Sequence, residues 1–497
     1  MKRRTFVSGI GMIALTETLA WSRKRIPSLN LLDISSRQGQ SLEAELHPFE
    51  VQLSRHLEPL PFGSSDSHAR PSFSFRGTKG WAWSPEQYLS EIPIMAKYRM
   101  NFLMNCYSSF WELGPHGAWV SKRPMNFWYR PLSAEQKRKF GEVIRSCQQH
   151  NIVFCLSINP NLRSDRPFDY SKPEDLEALW QHYVWAQSLG VRWFNISLDD
   201  ITRNISAEGH ATLVNHIFER LRRHDSEVQM TFCPTWYAGT GEDGVETQTT
   251  LGAPSTPNGE TPGSLYLKTL GKKLHPDVYL FWTGPKVESP MIHAEEAARF
   301  KALSGHRLFL WDNYPVNNQS PALDLGPLRG RSADLHTVID GYMANSMGFE
   351  NEANRLSLLT IADYTWNSGA YDRDRSIGQS ILHLADTLAK QQALKGFVEL
   401  YPGRLWDGVS GGNWNSLRAR FDQLLRRNEY GQAHDLLARA QDTLVQLQKL
   451  FPDAWSSGSR ILELDVKTMR GQLSSYRHNV LHHLSDTRGP NRSSSLV

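Results

Sequence analysis

The chain has 497 residues, 40% of them hydrophobic, enough to fill the cores of two to four domains at about 150 residues each. Its 55 Lys and Arg against 51 Asp and Glu leave a net charge of +4, too weak a bias to argue for a nucleic-acid partner. No apolar run reaches the ~18 residues that cross a bilayer, so no integral membrane span is expected.

The first elements are not part of a fold. Met1 to Val7 is basic and Gly9 to Ala20 is a short apolar stretch, so residues 1–21 read as an export signal. Arg3-Arg4-Thr5-Phe6-Val7 resembles a twin-arginine signal, which implies a bacterial protein delivered to the periplasm or beyond. Residues 22–70 are rich in Ser, Pro and charge and read as a linker or irregular flank. The four cysteines form no Cys-x-x-Cys or His/Cys cluster. Buried thiols are therefore expected, with no metal and no cofactor.

From Ser72 a rhythm of short apolar run, polar loop and amphipathic helix begins. The runs are Ser72–Arg76, Asn101–Tyr107, Ile152–Ile158, Trp193–Leu198, Val228–Cys233, Val278–Trp282, Arg307–Trp311 and Gly341–Ala344. Helical stretches fall between most of them: Pro85–Lys97, Ala134–His150, Pro173–Leu189, Ala207–Arg223 and Ile292–Leu303. Eight strand–helix units in about 290 residues predict an α/β fold of the TIM (β/α)8 barrel type over residues 71–372. The rival, an open doubly wound sheet, lacks a Gly-x-Gly-x-x-Gly turn after its first strand. Beyond Tyr371 the strand signal stops. Gln379–Lys395, Asn413–Arg427, Gly431–Leu450 and Ser459–Leu484 carry helical stripes, predicting an all-α domain over residues 373–485 and a disordered tail over 486–497.

The chemistry is expected at the carboxyl ends of the strands, where barrel ligands bind. Trp193 to Leu198 runs straight into Asp199 and Asp200. Adjacent carboxylates at such an end push their pKa values apart, which suits acid/base work on a glycosidic bond. A helix N-cap beside a loop acid is the competing reading. Glycines in Gly77 to Ser84 would admit a ligand to the backbone, and Ser84 would cap the next helix. Pro234-Thr235-Trp236-Tyr237, Trp282-Thr283-Gly284-Pro285-Lys286-Val287, Trp311-Asp312-Asn313-Tyr314-Pro315-Val316-Asn317-Asn318 and Asn345 close the fifth to eighth strands. An apolar wall of Trp and Tyr with a few amides and two carboxylates resembles a monosaccharide pocket.

These motifs are specific in combination. Asp199-Asp200-Ile201, Trp282-Thr283-Gly284 and Trp311-Asp312-Asn313-Tyr314-Pro315-Val316-Asn317 resemble the β-N-acetylglucosaminidase family that includes O-GlcNAcase, glycoside hydrolase family 84. Gly77 to Ser84, Cys233-Pro234-Thr235-Trp236-Tyr237 and Asp363-Tyr364-Thr365-Trp366-Asn367 fit as well. The resemblance covers about Ser72 to Asp372. It implies a retaining, substrate-assisted hydrolysis of N-acetylglucosamine conjugates, in which the sugar's own acetamide oxygen attacks and forms an oxazoline. Asp199 would orient the acetamide N–H, and Asp200 would be the general acid and then the base. Tyr237 and Asn313 would hold the acetamido group. Trp311 and Thr283 would line its pocket, with Val287 nearby. Gly77 and Asn345 would bind hydroxyls. Three departures stand out: Ser108 replaces a lysine expected after the second strand, Asn318 replaces an aspartate that grips outer hydroxyls, and Trp236 replaces a glutamate. They keep open an endo-acting, hyaluronidase-like glycosidase and a glycan-binding protein of little activity.

Overall fold

Strands form at all eight expected places, because each apolar run is short, rich in β-favouring residues and bounded by polar turns. They are β1 (Phe75–Gly80), β2 (Phe102–Asn105), β3 (Val153–Ile158), β4 (Trp193–Ser197), β5 (Gln229–Cys233), β6 (Tyr279–Trp282), β7 (Leu308–Pro315) and β8 (Ile339–Ser346). Each pairs in parallel with the next, and β8 pairs with β1, closing the barrel. The computed structural model describes residues 70–486 except 81–82, 111–125, 163, 202–203, 241–244, 247–260, 317–322, 347–350, 404–416 and 453. The export-signal, linker and tail readings, and Asn318, lie outside the described residues.

Alternate residues of every strand point inward. Phe75, Phe102, Met104, Cys155, Trp193, Cys233, Tyr279, Phe281, Phe309, Trp311 and Met343 form one packed interior. Above it lies a polar layer with its hydrogen bonds closed. Asn195 donates to the hydroxyls of Ser157 and Ser197, both at 2.8 Å, and accepts from Thr231 at 3.0 Å. Satisfied in this way, the layer stiffens the barrel directly beneath its carboxyl end.

The first strand differs from expectation. It is Phe75–Gly80, so Gly77 to Gly80 is strand and not the turn that closes it. A side chain at 77 would meet the Phe102 carbonyl oxygen at 1.6 Å. Glycine at 77 is thus required by the close passage of the β2 backbone. β7 also runs on past Trp311 to Pro315, and its register with β8 shifts between Asp312 and Pro315. Such a bulge re-aims side chains next to a site.

Helices α1 (Pro85–Lys97), α2 (Ala134–Gln149), α3 (Pro173–Ser188), α4 (Ala207–His224), α5 (Pro262–Lys273) and α6 (Ala294–Ser304) follow β1 to β6 in turn, and α7 (Asn351–Trp366) follows β8. Ser84 caps α1 as expected, within a capping box closed by Gln87. The end of α7 holds the segment before β1: the N–H groups of Ser72 and Phe73 donate to the carbonyls of Trp366 and Thr365. Asp363 to Asn367 therefore anchors the start of the barrel, away from its mouth.

After the barrel come α8 (Arg373–Leu384), α9 (Leu388–Leu400), α10 (Leu417–Arg426), α11 (Tyr430–Leu450) and α12 (Ser456–Asp486). The single helix expected over Gln379–Lys395 is two, because Thr387 starts a new one by accepting from the N–H of Lys390. All four cysteines are buried and free. Among the described residues no helix is long and apolar enough to cross a membrane.

Asp312 points out of the barrel wall. Arg331 grips both its oxygens, at 2.6 and 2.8 Å, and the Tyr342 hydroxyl donates to it. Both charged side chains are buried. Arg331→Met is expected to destabilise the protein by roughly 3–5 kcal/mol, since it strands a buried carboxylate. Urea unfolding reads this as a lower midpoint at unchanged slope. A loss under about 1 kcal/mol would mean that Asp312 finds another partner.

Candidate active site

The inward rows, carried one step past the hydrophobic interior, become polar. Phe75 and Gly77 lead to Lys79, Cys155 and Ser157 to Asn159, and Ser197 to Asp199. Phe281 leads to Thr283 and Met343 to Asn345. Period-two alternation thus brings a ring of polar side chains to the carboxyl-end mouth.

Asp199 is 9% exposed. The Asn159 side-chain amide donates to its Oδ1 at 3.1 Å and to its backbone carbonyl at 3.3 Å. Asn159 is itself oriented, because its Oδ1 accepts from the N–H groups of Asn161 and Leu162. Asp200 is half-buried and has φ 55°. A left-handed backbone at a non-glycine residue is an outlier of the kind that gathers at functional sites. It turns the Asp200 side chain toward Tyr237, whose hydroxyl donates to Oδ1 at 2.6 Å. The carboxyl ends of β4 and β5 are pinned together where the Thr235 hydroxyl donates to the Leu198 carbonyl at 2.8 Å.

The remaining predicted residues converge from the other side. The Thr283 N–H donates to the Tyr237 carbonyl at 2.9 Å. Asn345 donates to the Asn313 Oδ1 at 2.9 Å, and Asn313 donates to the Val287 carbonyl at 2.6 Å. This chain fixes the Asn313 amide in one orientation. The Asn345 Oδ1 is buried with no hydrogen-bond partner among the described residues. Trp311 packs edge-on against Phe281, with ring centroids 5.3 Å apart.

Burial is the largest cause of the shifts at the acid pair, and it raises both carboxyls. Asp199 is pushed up to about 6, with repulsion from Asp200 adding to the effect. The Tyr237 hydrogen bond and the charge of Lys79 restrain Asp200, which is still raised. Two acids so placed titrate as a pair. Burial and Asp200 hold the Tyr237 phenol well above its ordinary range, so it stays a donor.

A family model described as beta-N-acetylglucosaminidase matches residues 77–399. The chain belongs to the β-N-acetylglucosaminidase family. Over 251 residues, 48% of this chain, it is 30% identical to the Protein O-GlcNAcase of Rattus norvegicus and to that of Mus musculus. That stretch spans 25% of the length of those relatives. Among solved structures it resembles CpGH84B, with TM-score 0.58 and 22% identity over 84% of this chain and 71% of that one. It also resembles a variant of the Thermobaculum terrenum O-GlcNAc hydrolase, with TM-score 0.57 and 23% identity over 82% of each chain. At such identities these two likenesses speak for the fold.

In this β-N-acetylglucosaminidase-family chain, Asp199, Asp200, Tyr237, Thr283, Val287, Trp311, Asn313 and Asn345 all gather at one mouth. Gly77 sits lower, inside β1. Ser108 falls in the short turn Tyr107–Phe110 after β2. Trp236 is buried against Tyr266, with ring centroids 4.8 Å apart, a packing role that needs no acid. Trp282 faces outward on Phe300 and is not part of an aromatic wall at the mouth. Sequence reasoning misses Asn159 and Lys79. Strand parity is the signal that could find them, and for Lys79 it is hidden when Gly77–Gly80 is read as a turn.

Proposed function

We propose that this chain hydrolyses the β-glycosidic bond of N-acetylglucosamine conjugates with retention, using the substrate's acetamido group as nucleophile. The observation that carries this reading is the adjacent acid pair at the end of β4. One acid is sunk and gripped by Asn159, and the other is turned out on a left-handed backbone against Tyr237. The apo pair shares its protons, and substrate would sort them. An acetamide N–H facing Asp199 favours the anion there, which leaves the proton on Asp200. Asp200, nearer solvent, protonates the leaving oxygen and then deprotonates the water that opens the oxazoline. Tyr237 and Asn313, each already oriented, hold the acetamide so that its oxygen meets the anomeric carbon. Asn345 Oδ1 accepts from a ring hydroxyl. The basic and apolar residues 1–21 support delivery of the activity outside the cytoplasm.

Hydrolysis of an aryl β-N-acetylglucosaminide beside the aryl β-glucoside tests the proposal. Turnover confined to the 2-acetamido sugar is expected, because the glucoside brings no nucleophile. Comparable turnover of both would overturn substrate assistance. Binding of N-acetylglucosamine oligomers without cleavage would favour the glycan-binding reading.

A further inference from the structure

The mouth contains a cation that the resemblance does not supply. Lys79 lies on β1, on the inward face shared with Phe75 and Gly77, and is 1% exposed. Its Nζ stands 3.8 Å from the centre of the Trp311 ring and 5.8 Å from that of Tyr107. Over an indole face an ammonium is attracted by the ring quadrupole, so Trp311 and the strand fix where the charge sits. From there its field reaches Asp199 and Asp200 at the end of β4, and Cys233 at the end of β5.

The Cys233 thiol and the Tyr237 phenol are both held well above their ordinary ranges and stay neutral. The groups left to carry charge among these are Lys79 and the two aspartates. With both acids ionised the buried mouth would carry a net negative charge. With both protonated it would carry a net positive one. With one proton on the pair it is neutral, the state that burial favours. That is also the state that acid catalysis beside an acetamide-orienting carboxylate requires.

We propose that Lys79 is a positioning residue for the reaction: its ammonium, fixed over Trp311, holds the acid pair at one negative charge, the state from which the substrate acetamide leaves Asp199 anionic and the proton on Asp200. The proposal rests on the reading of Asp199 and Asp200 as the catalytic pair. It also assigns the mouth a cation from β1, whereas Ser108 stands where the resemblance expects one after β2.

The test is titration of 13Cγ-labelled aspartate by NMR in the full chain, with signals assigned through Asp199→Asn and Asp200→Asn, and repeated in Lys79→Met. Methionine keeps much of the length of the side chain and removes the charge. Both ionisation steps of the pair are expected to move up by roughly one pH unit or more. Both limbs of the kcat/KM profile move up with them. Lys79→Gln serves as a second charge-removing variant should methionine not fold. A folded variant whose pair titrates as in the native chain overturns the proposal, even if its activity is reduced, since that would be packing alone. The titration needs no turnover. Failure of the native chain to hydrolyse a 2-acetamido sugar would sink the functional reading and leave the electrostatic result standing by itself.

Discussion

Asp200→Asn is expected to lower kcat/KM by roughly 10²- to 10⁴-fold on substrates with poor leaving groups, the usual worth of a positioned general acid. An activated aryl leaving group departs without a proton, so its oxazoline-forming step falls much less. The substitution is clean in two respects. Asparagine tolerates the left-handed backbone at φ 55°, so the turn survives. Its side-chain oxygen can still accept from Tyr237, which donates at 2.6 Å. What disappears is the titrating proton, and with it the fall in rate as pH rises past the pair's last ionisation. A matched series of aryl leaving groups measures the effect as a steepened dependence on leaving-group pKa. Equal losses across the series would remove Asp200 from the acid role and point to Asp199, the carboxyl pushed up to about 6.

The second large effect couples activity to stability with opposite signs. Asp199→Asn is expected to cut turnover of 2-acetamido sugars by roughly 10²- to 10³-fold, because it removes charge that meets the developing oxazolinium. The same change should stabilise the fold at alkaline pH. Burial raises the Asp199 carboxyl from 3.8 to about 6 in the folded state. A raised carboxyl favours folding while protonated, so its contribution is whole below about 4 and is lost as pH climbs through about 6. Asparagine stays neutral throughout and keeps the Asn159 contact. A shift of about two units corresponds to about 3 kcal/mol, so the variant should melt higher than the native chain at pH 8 and converge with it near pH 4. Equal melting at pH 8 would mean that Lys79 and Asn159 already offset the buried charge in full. The site would then be held at some cost in stability, as catalytic sites commonly are.

Much of this protein is legible without coordinates. Repetition of apolar run and amphipathic helix specified a closed barrel, because each signal is local: period two for a strand, 3.6 for a helix, a capping serine at 84. The acid pair was legible for the same reason, as Asp199 and Asp200 follow directly on a buried strand. Other features were decided by tertiary structure alone. Gly77 is glycine because Phe102, on the neighbouring strand, passes against it. Asn159 grips Asp199 from a neighbouring strand end. Asn345 and Asn313 fix one another across β8 and β7. Lys79 meets the Trp311 ring at the mouth only once β1 is extended to Gly80 and the barrel has closed. These interactions join residues from different strands, and pairing at a distance along the chain leaves no period in the sequence. Composition and alternation therefore determine which elements form and which residues face inward, while closure of the barrel determines which inward residues meet.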